Sequence, residues 1–379
     1  MNANLVSVSW GDHLEWGTGD GSLARASAIE RSIARWHQEL NAGGLLWRES
    51  RSMKRYFRHF QVPNVSPRSY GSEAEPDLDE HRVVIDAAHE NGMQAYLYVT
   101  MFDEGWPLEL GWGGGFEARQ SHYVIRYPMH QLVDRAGNAV HHGVLCFNYP
   151  EVRRYRLGVI RWLLEGYDWD GVFICTRSQS RPAQYADQFG FNEPVVKQYQ
   201  ERYGIDITRQ DFDLDRWRRV LGEGVTQFLR EVAQVVHERR KSLIVGIPRA
   251  DYVGPPVGNL YLDWRTWLAD DIIDGLVIDQ WAAICPSAWM WLWPPTEQGY
   301  GYVENYQDPC ATPLEDDVRQ RWGPATREAA KPLYLARQWQ AFESAVQNEL
   351  AAIPDVTGLV FSSFRYDNAE EADWNIWPV

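Results

Sequence analysis

The chain is short of cysteine, of positive charge and of long apolar runs, and each shortage closes off a class of protein. Four cysteines occur in 379 residues, Cys146, Cys175, Cys285 and Cys310, with no CxxC pair among them. That spacing excludes a disulfide-stapled scaffold and a zinc ribbon or finger. Four reduced thiols are expected, with a Cys285–Cys310 bridge left open. Lys and Arg number 37 against 52 Asp and Glu, a net charge of −15. A surface of that sign repels nucleic-acid backbones and anionic membranes, so neither is expected as a partner. No apolar run approaches the ~18 residues of a membrane-spanning helix. The Trp-rich stretch from Trp281 to Trp293 is broken by Pro286 and Ser287. The first residues carry neither a basic start nor an apolar signal core, so a cytoplasmic chain is expected, although a trimmed secretory chain would look the same. No 20–50-residue repeat or low-complexity tract is visible.

What the sequence has in quantity is tryptophan, 19 residues, within an ordinary globular background of 45% hydrophobic and 23% charged residues. Short β-like runs alternate with helical patterns, which is the signature of βα units on a parallel sheet. The runs begin near Leu5, Gly44, Gln94, Gly171, Leu243, Gly275, Pro332 and Gly358. Between them fall helical patterns, among them one to Leu40, one near Asp79–Glu90 and one opening at Pro150-Glu151. A long one lies around Asp213–Arg240, with Trp217, Val220, Leu221, Val225, Phe228, Leu229, Val232 and Val236 on one face. Eight strands with seven helical connections give a (β/α)8 TIM barrel with long βα loops and no clear eighth helix. One domain over 1–379 is expected, with a large loop insertion at about 102–147. An open doubly wound sheet is the other arrangement of such units, but it needs a switch-point ligand motif. The loop Gly17-Thr18-Gly19-Asp20-Gly21-Ser22 fails the GxGxxG pattern and has no P-loop lysine.

In a barrel of this kind the chemistry sits at the C-terminal ends of the strands. Aromatic residues recur there, at Trp10, Trp47, Trp106, Trp281, Trp339 and Tyr366. Flat aromatic faces stack on the apolar face of a sugar ring, and Trp adds an N–H donor. Five arginines also follow strands directly: Arg48, Arg177, Arg249, Arg337 and Arg365. Arg grips carboxylate, sulfate or phosphate in bidentate fashion, so an acidic sugar, a uronate or a sulfated ring, fits this set. Glycosidic bond cleavage needs two carboxylates, one protonated and one ionised. Asp279, after a wholly apolar strand, is the first candidate for nucleophile or base. Glu104 is the expected acid, with its neighbour Asp103 as the other carboxylate after the third strand that could serve. Arg177, Gln179, Arg337 and Arg365 are expected to orient the sugar, with Trp10, Trp106 and Trp281 stacked on it. His13, Arg48, Glu49, Arg249, Asp251, Gln280, Gln338, Trp339 and Asp367 complete the expected substrate-binding set. The histidines are scattered and no GxSxG elbow occurs, so no metal, no cofactor and no serine nucleophile is expected.

Several stretches carry a family resemblance. Tyr149-Pro150-Glu151-Val152-Arg153, Tyr167-Asp168-Trp169-Asp170-Gly171-Val172, Tyr203-Gly204-Ile205-Asp206 and Ile273-Asp274-Gly275-Leu276-Val277 resemble the glycosyl-hydrolase-like proteins of the family-10-like group. So do Phe102-Asp103-Glu104-Gly105-Trp106 and Phe361-Ser362-Ser363-Phe364-Arg365. The resemblance runs from about residue 80 to 368 and implies a TIM barrel with a carbohydrate substrate. Such relatives often carry Asp at the end of the fourth strand, where this chain has Cys175. Strand seven ends in Arg337-Gln338 and not in the Glu used by the large retaining group. The usual catalytic pair therefore does not transfer. The expectations are a glycoside hydrolase-like enzyme, a carbohydrate-binding protein without catalysis, or a lyase or isomerase acting on acidic sugars.

Overall fold

The computed structural model describes residues 4–9, 23, 25–49, 78–105, 107, 120–176, 188–254, 258–278, 312–340 and 344–366. In chain order these form β1 (Asn4–Val8), α1 (Ala26–Leu40), β2 (Ala42–Arg48), α2 (Glu80–Glu90), β3 (Gln94–Thr100), α3 (His122–Arg126), β4 (Gln131–Val133) and β5 (Val140–Leu145). Next come α4 (Pro150–Gly166), β6 (Gly171–Cys175), α5 (Glu193–Tyr203), α6 (Leu214–His237), β7 (Ser242–Gly246), β8 (Tyr252–Gly254) and β9 (Gly258–Tyr261). The last are α7 (Trp264–Ala269), β10 (Gly275–Ile278), α8 (Leu314–Asp317), α9 (Gly323–Glu328), β11 (Leu333–Gln340), α10 (Ser344–Ala351) and β12 (Gly358–Tyr366). Eight parallel strands close in the order β1-β2-β3-β6-β7-β10-β11-β12, with β12 pairing back onto β1. All eight strands expected from the sequence are in this barrel. The hairpin β4–β5 lies in the insertion after β3, around the turn at Asp134–Asn138, and β8–β9 forms a second hairpin after β7.

Pleat alternation divides each strand between two cores. Leu5, Leu46, Tyr96, Tyr98, Phe173, Cys175, Ile244, Val277 and Val360 fill the barrel interior. Their neighbours in sequence, among them Val6, Leu45, Leu97, Val172, Ile174, Val245, Leu276 and Phe361, face the surrounding helices. Both faces are buried, so the strands read as continuous apolar runs. Trp217 and Trp264 are fully buried in the outer layer, and Trp162 is half-buried against it. Among the described residues no helix is long and apolar enough to cross a membrane.

The N-terminal end of the barrel is closed by a recurring clasp. Asp170, just before β6, donates its backbone N–H to Ala95 O (2.8 Å) and accepts the Ala95 N–H on Oδ2 (2.7 Å). Asp274, just before β10, does the same to Leu243, at 2.7 and 2.8 Å. Thr357, before β12, does it to Leu333, at 2.8 and 3.1 Å. The two carboxylates also face a histidine from the end of the helix that leads into the neighbouring strand, Asp170 with His89 before β3 (3.0 Å) and Asp274 with His237 before β7 (2.7 Å). The glycine after Asp170 has a steric cause, because a Cβ on Gly171 would lie 2.3 Å from Ser242 O and 2.8 Å from the Tyr96 ring. The Asp-Gly punctuation of the sequence is thus a strand-start device on the face opposite the chemistry. Asp274→Ala leaves the Leu243 N–H without its acceptor and is expected to cost ~1–3 kcal/mol. Chemical denaturation should show that loss, with no change in the properties of the C-terminal face.

Candidate functional site

Buried charge is concentrated where β2 and β3 end. Glu49 follows β2, and its N–H continues the ladder by donating to Tyr98 O at 2.7 Å. Asp103 and Glu104 follow β3. These three carboxylates are 2%, 3% and 0% exposed. Between two of them lies a cation that sequence reasoning missed, Arg156 of α4, 1% exposed. Its Nη2 donates to Glu49 Oε1 (2.9 Å) and to Thr100 O (3.0 Å), and its Nη1 donates to Glu104 Oε1 (3.2 Å). The second Glu104 oxygen accepts the Tyr155 hydroxyl at 3.1 Å. Burial, followed by the Glu104 charge, holds the Tyr155 phenol well above its ordinary range, so it stays a donor. The Tyr155 ring is stacked on Tyr123 of α3 at 4.1 Å. The peptide groups of Glu104 are held as well, the N–H by Gly143 O and the carbonyl by Ser121 N, both at 3.0 Å.

The sequence placed Arg156 in plain view on the buried stripe of α4, between Val152 and Ile160 at steps of four. A single Arg interrupting such a stripe is the signal, because an unpaired charge there would be prohibitive. Pro150 at the first helical turn and Glu151 beside it start the helix at the C-terminal end of the barrel, which brings Arg156 close to the rim.

A second buried group lies beside the first. Arg48 Nη2 and Trp47 Nε1 both donate to Glu80 Oε1, at 2.9 and 2.7 Å, and all three residues are 2% exposed or less. Next to Glu80, His81 is fully buried, edge-on to Tyr167 and Trp169 at 5.1 and 5.2 Å. Burial first, and the Arg48 charge second, lower its pKa from 6.5 to about 3. A histidine that stays neutral when folded but protonates when unfolded stabilises the protein fully above pH 6.5 and progressively less as pH falls towards 3. The expected slope is about 1.4 kcal/mol per pH unit. Between pH 6.5 and about 5 ordinary carboxylates remain ionised, so unfolding measured across that window should lose part of its slope in His81→Asn.

The remaining expected residues are dispersed. Arg249 is held by α8, with Nε and Nη2 on Asp317 Oδ2 at 3.1 and 2.9 Å and Nη2 also on Thr312 O. Asp251 accepts the Trp264 indole N–H at 2.8 Å and pairs with Arg321 (2.5 Å) and Arg265 (3.2 Å). Burial works against its charge, but the Trp264 hydrogen bond and the Arg321 and Arg265 charges outweigh it and hold the carboxyl below its ordinary range. Trp339 is 6% exposed in the helix-facing layer, with the Arg35 guanidinium of α1 5.0 Å from its ring centre. Arg365 lies over the same ring at 6.0 Å and pairs with Glu39 of α1 at 3.5 Å. These two therefore stand between barrel and helix. Arg337 is half-buried and donates to the Ala336 carbonyl (2.8 Å), and the Gln338 carbonyl accepts from Gln347 (3.0 Å). Trp10, His13, Trp106, Arg177, Gln179, Asp279, Gln280, Trp281 and Asp367 lie outside the described residues. Cys175 is a buried thiol in the barrel interior, in register with Thr100 of β3 and Gly246 of β7. Among the described residues no group of three His, Cys, Asp or Glu is arranged to hold a metal ion.

A closed parallel eight-stranded barrel, with buried carboxylates gathered at the C-terminal ends of neighbouring strands, defines a TIM-barrel protein. The chain belongs to the glycosyl hydrolase-like 10 family, whose model matches residues 68–288, more than half of the sequence. Solved structures share the fold. The catalytic domain of a beta-amylase from Paenibacillus polymyxa superimposes with a TM-score of 0.54 at 10% identity, covering 99% of this chain and 98% of that one. The PgaB (BpsB) glycoside hydrolase domain from Bordetella bronchiseptica gives 0.53 at 12% identity, covering 99% and 98%. Alpha-L-fucosidase isoenzyme 2 from Paenibacillus thiaminolyticus gives 0.52 at 12% identity, where the chain covers 99% of itself but spans only 48% of the fucosidase. At such identities the likeness is one of fold. No curated protein sequence matches the chain.

Proposed function

We propose that the protein hydrolyses an O-glycosidic bond in a carbohydrate bound across the C-terminal ends of the barrel strands. The observation that carries this reading is the gathering of Glu49, Asp103 and Glu104, all buried, at the ends of β2 and β3 in a member of a glycosyl hydrolase-like family. Asp279, which follows β10 in sequence, serves as nucleophile or base. Arg156 and Tyr155 both donate to Glu104, which favours its ionised form. A proton donor must hold its proton at working pH. The acid role is therefore assigned to Asp103, with Glu104 organising the strand end. Trp10, Trp106 and Trp281 stack on the sugar.

Of the arginines that pointed to an acidic sugar, Arg48, Arg249 and Arg365 already face Glu80, Asp317 and Glu39. A uronate or sulfate would fall to Arg177 and Arg337, so neutral glycans belong in the substrate panel beside acidic ones. One observation favours a second reading, binding without turnover: a buried thiol, Cys175, ends the strand where relatives often carry Asp. The deciding experiment sets the parent beside Asp279→Asn and Asp103→Asn on a panel of neutral and acidic glycans. Turnover by the parent, lost in both folded variants, is the expected result. Sugar binding by calorimetry without turnover selects the second reading. Full activity in both variants contradicts the residue assignment.

A further inference from the structure

We propose that Arg156 is a positioning residue for the site: it fixes the Asp103–Glu104 segment at the end of β3 and couples it to Glu49 at the end of β2. The inference rests on the hydrolytic reading of this rim. One guanidinium spans the ends of two strands through three acceptors, Glu49 Oε1, Thr100 O and Glu104 Oε1, at 2.9, 3.0 and 3.2 Å. With the Tyr155 hydroxyl on its other oxygen and both peptide groups bonded, Glu104 is held through side chain and backbone alike. Asp103 is the residue before it in the chain and shares this frame. The frame comes from a rigid source, since α4 is packed through Val152, Val159, Ile160, Leu163 and Leu164. Precision of that kind is what a catalytic carboxylate needs, because a displacement of ~1 Å costs about a hundredfold in rate.

Stability is a weak reason for such an arginine. Burying a guanidinium and two carboxylates carries a desolvation penalty that apolar residues of similar volume avoid. A Met or Leu would continue the α4 stripe at position 156. What the charged network supplies, and an apolar one does not, is a defined geometry linking the ends of two strands. Arg is suited to this because its planar fork presents several donors at fixed angles, whereas Lys offers a point charge.

The test compares the parent with Arg156→Lys and with the neutral triple variant Glu49→Gln/Glu104→Gln/Arg156→Met. Four quantities are read: kcat and KM on a glycan that the parent turns over, melting temperature, and amide exchange at Glu104. Arg156→Lys is expected to fold, to lose about 10–100-fold in kcat and to keep KM within about threefold. Its Glu104 amide should exchange faster while the amides of β6 and β7 keep their protection. The triple variant is expected to regain the melting temperature of the parent but not its kcat. The proposal is overturned if kcat merely tracks the folded fraction, or if the triple variant regains kcat together with stability. Unchanged exchange at Glu104 in Arg156→Lys also overturns it, whatever the turnover. A parent without turnover on any glycan defeats the hydrolytic reading instead, and the exchange measurement still decides whether Arg156 holds the segment.

Discussion

Asp279→Asn is expected to lower kcat by ~10²–10⁴-fold on any glycan the parent hydrolyses. The substitution keeps the volume of the side chain and removes its charge. Asp279 follows the wholly apolar strand β10 (Gly275–Ile278), whose four residues are all buried. A glycosidase needs one ionised carboxylate facing the anomeric centre, and the proposed function assigns that part to Asp279. An amide cannot deprotonate a water or attack that carbon. Stability should change little, since the strand itself is packed by Val277 inside the barrel and by Leu276 and Ile278 outside it. Steady-state kinetics with a melting curve on the same sample check both halves of the expectation. KM should move less than kcat, because the interaction removed is made chiefly in the transition state.

The largest effect on stability should come from Arg156→Met. The change leaves Glu49 and Glu104, 2% and 0% exposed, without the guanidinium between them. Breaking a buried ion pair by removing one partner typically costs ~3–5 kcal/mol, because the remaining charge is stranded in low dielectric. Here two carboxylates share the arginine, so the upper part of that range applies. Urea unfolding at neutral pH measures the size of the loss. A loss below about 1 kcal/mol at neutral pH would contradict the network as described.

The barrel was legible in the sequence because each strand announces itself twice. A run of four or five apolar residues marks its body, and a punctuating residue marks its start. Asp170-Gly171 and Asp274-Gly275 are the clearest cases, and the structure explains both through the clasp to the preceding strand. The hidden part was facing. A parallel strand is buried on both sides, so no alternation of polar and apolar residues tells which side chain enters the barrel. Trp47 and Trp339 both end strands, and both lie in the layer between barrel and helices. Arg365, which is exposed, is drawn outward to Glu39 and the Trp339 ring. The helix Glu193–Tyr203 was also hidden, since it buries only Val195 and Tyr199 and carries little apolar pattern. Arg156 escaped for the opposite reason, because it occupies an apolar stripe whose regularity drew attention away from its one charged member.

The most direct test of the central claim is to digest a panel of neutral and acidic glycans in oxygen-labelled water and weigh the products. Hydrolysis transfers one water oxygen to the new reducing end, so labelled products from the parent, absent with Asp279→Asn, are the predicted result. Unlabelled products with ultraviolet absorbance would reveal a lyase, and bound but uncut glycans a binding protein; either would contradict the hydrolytic account.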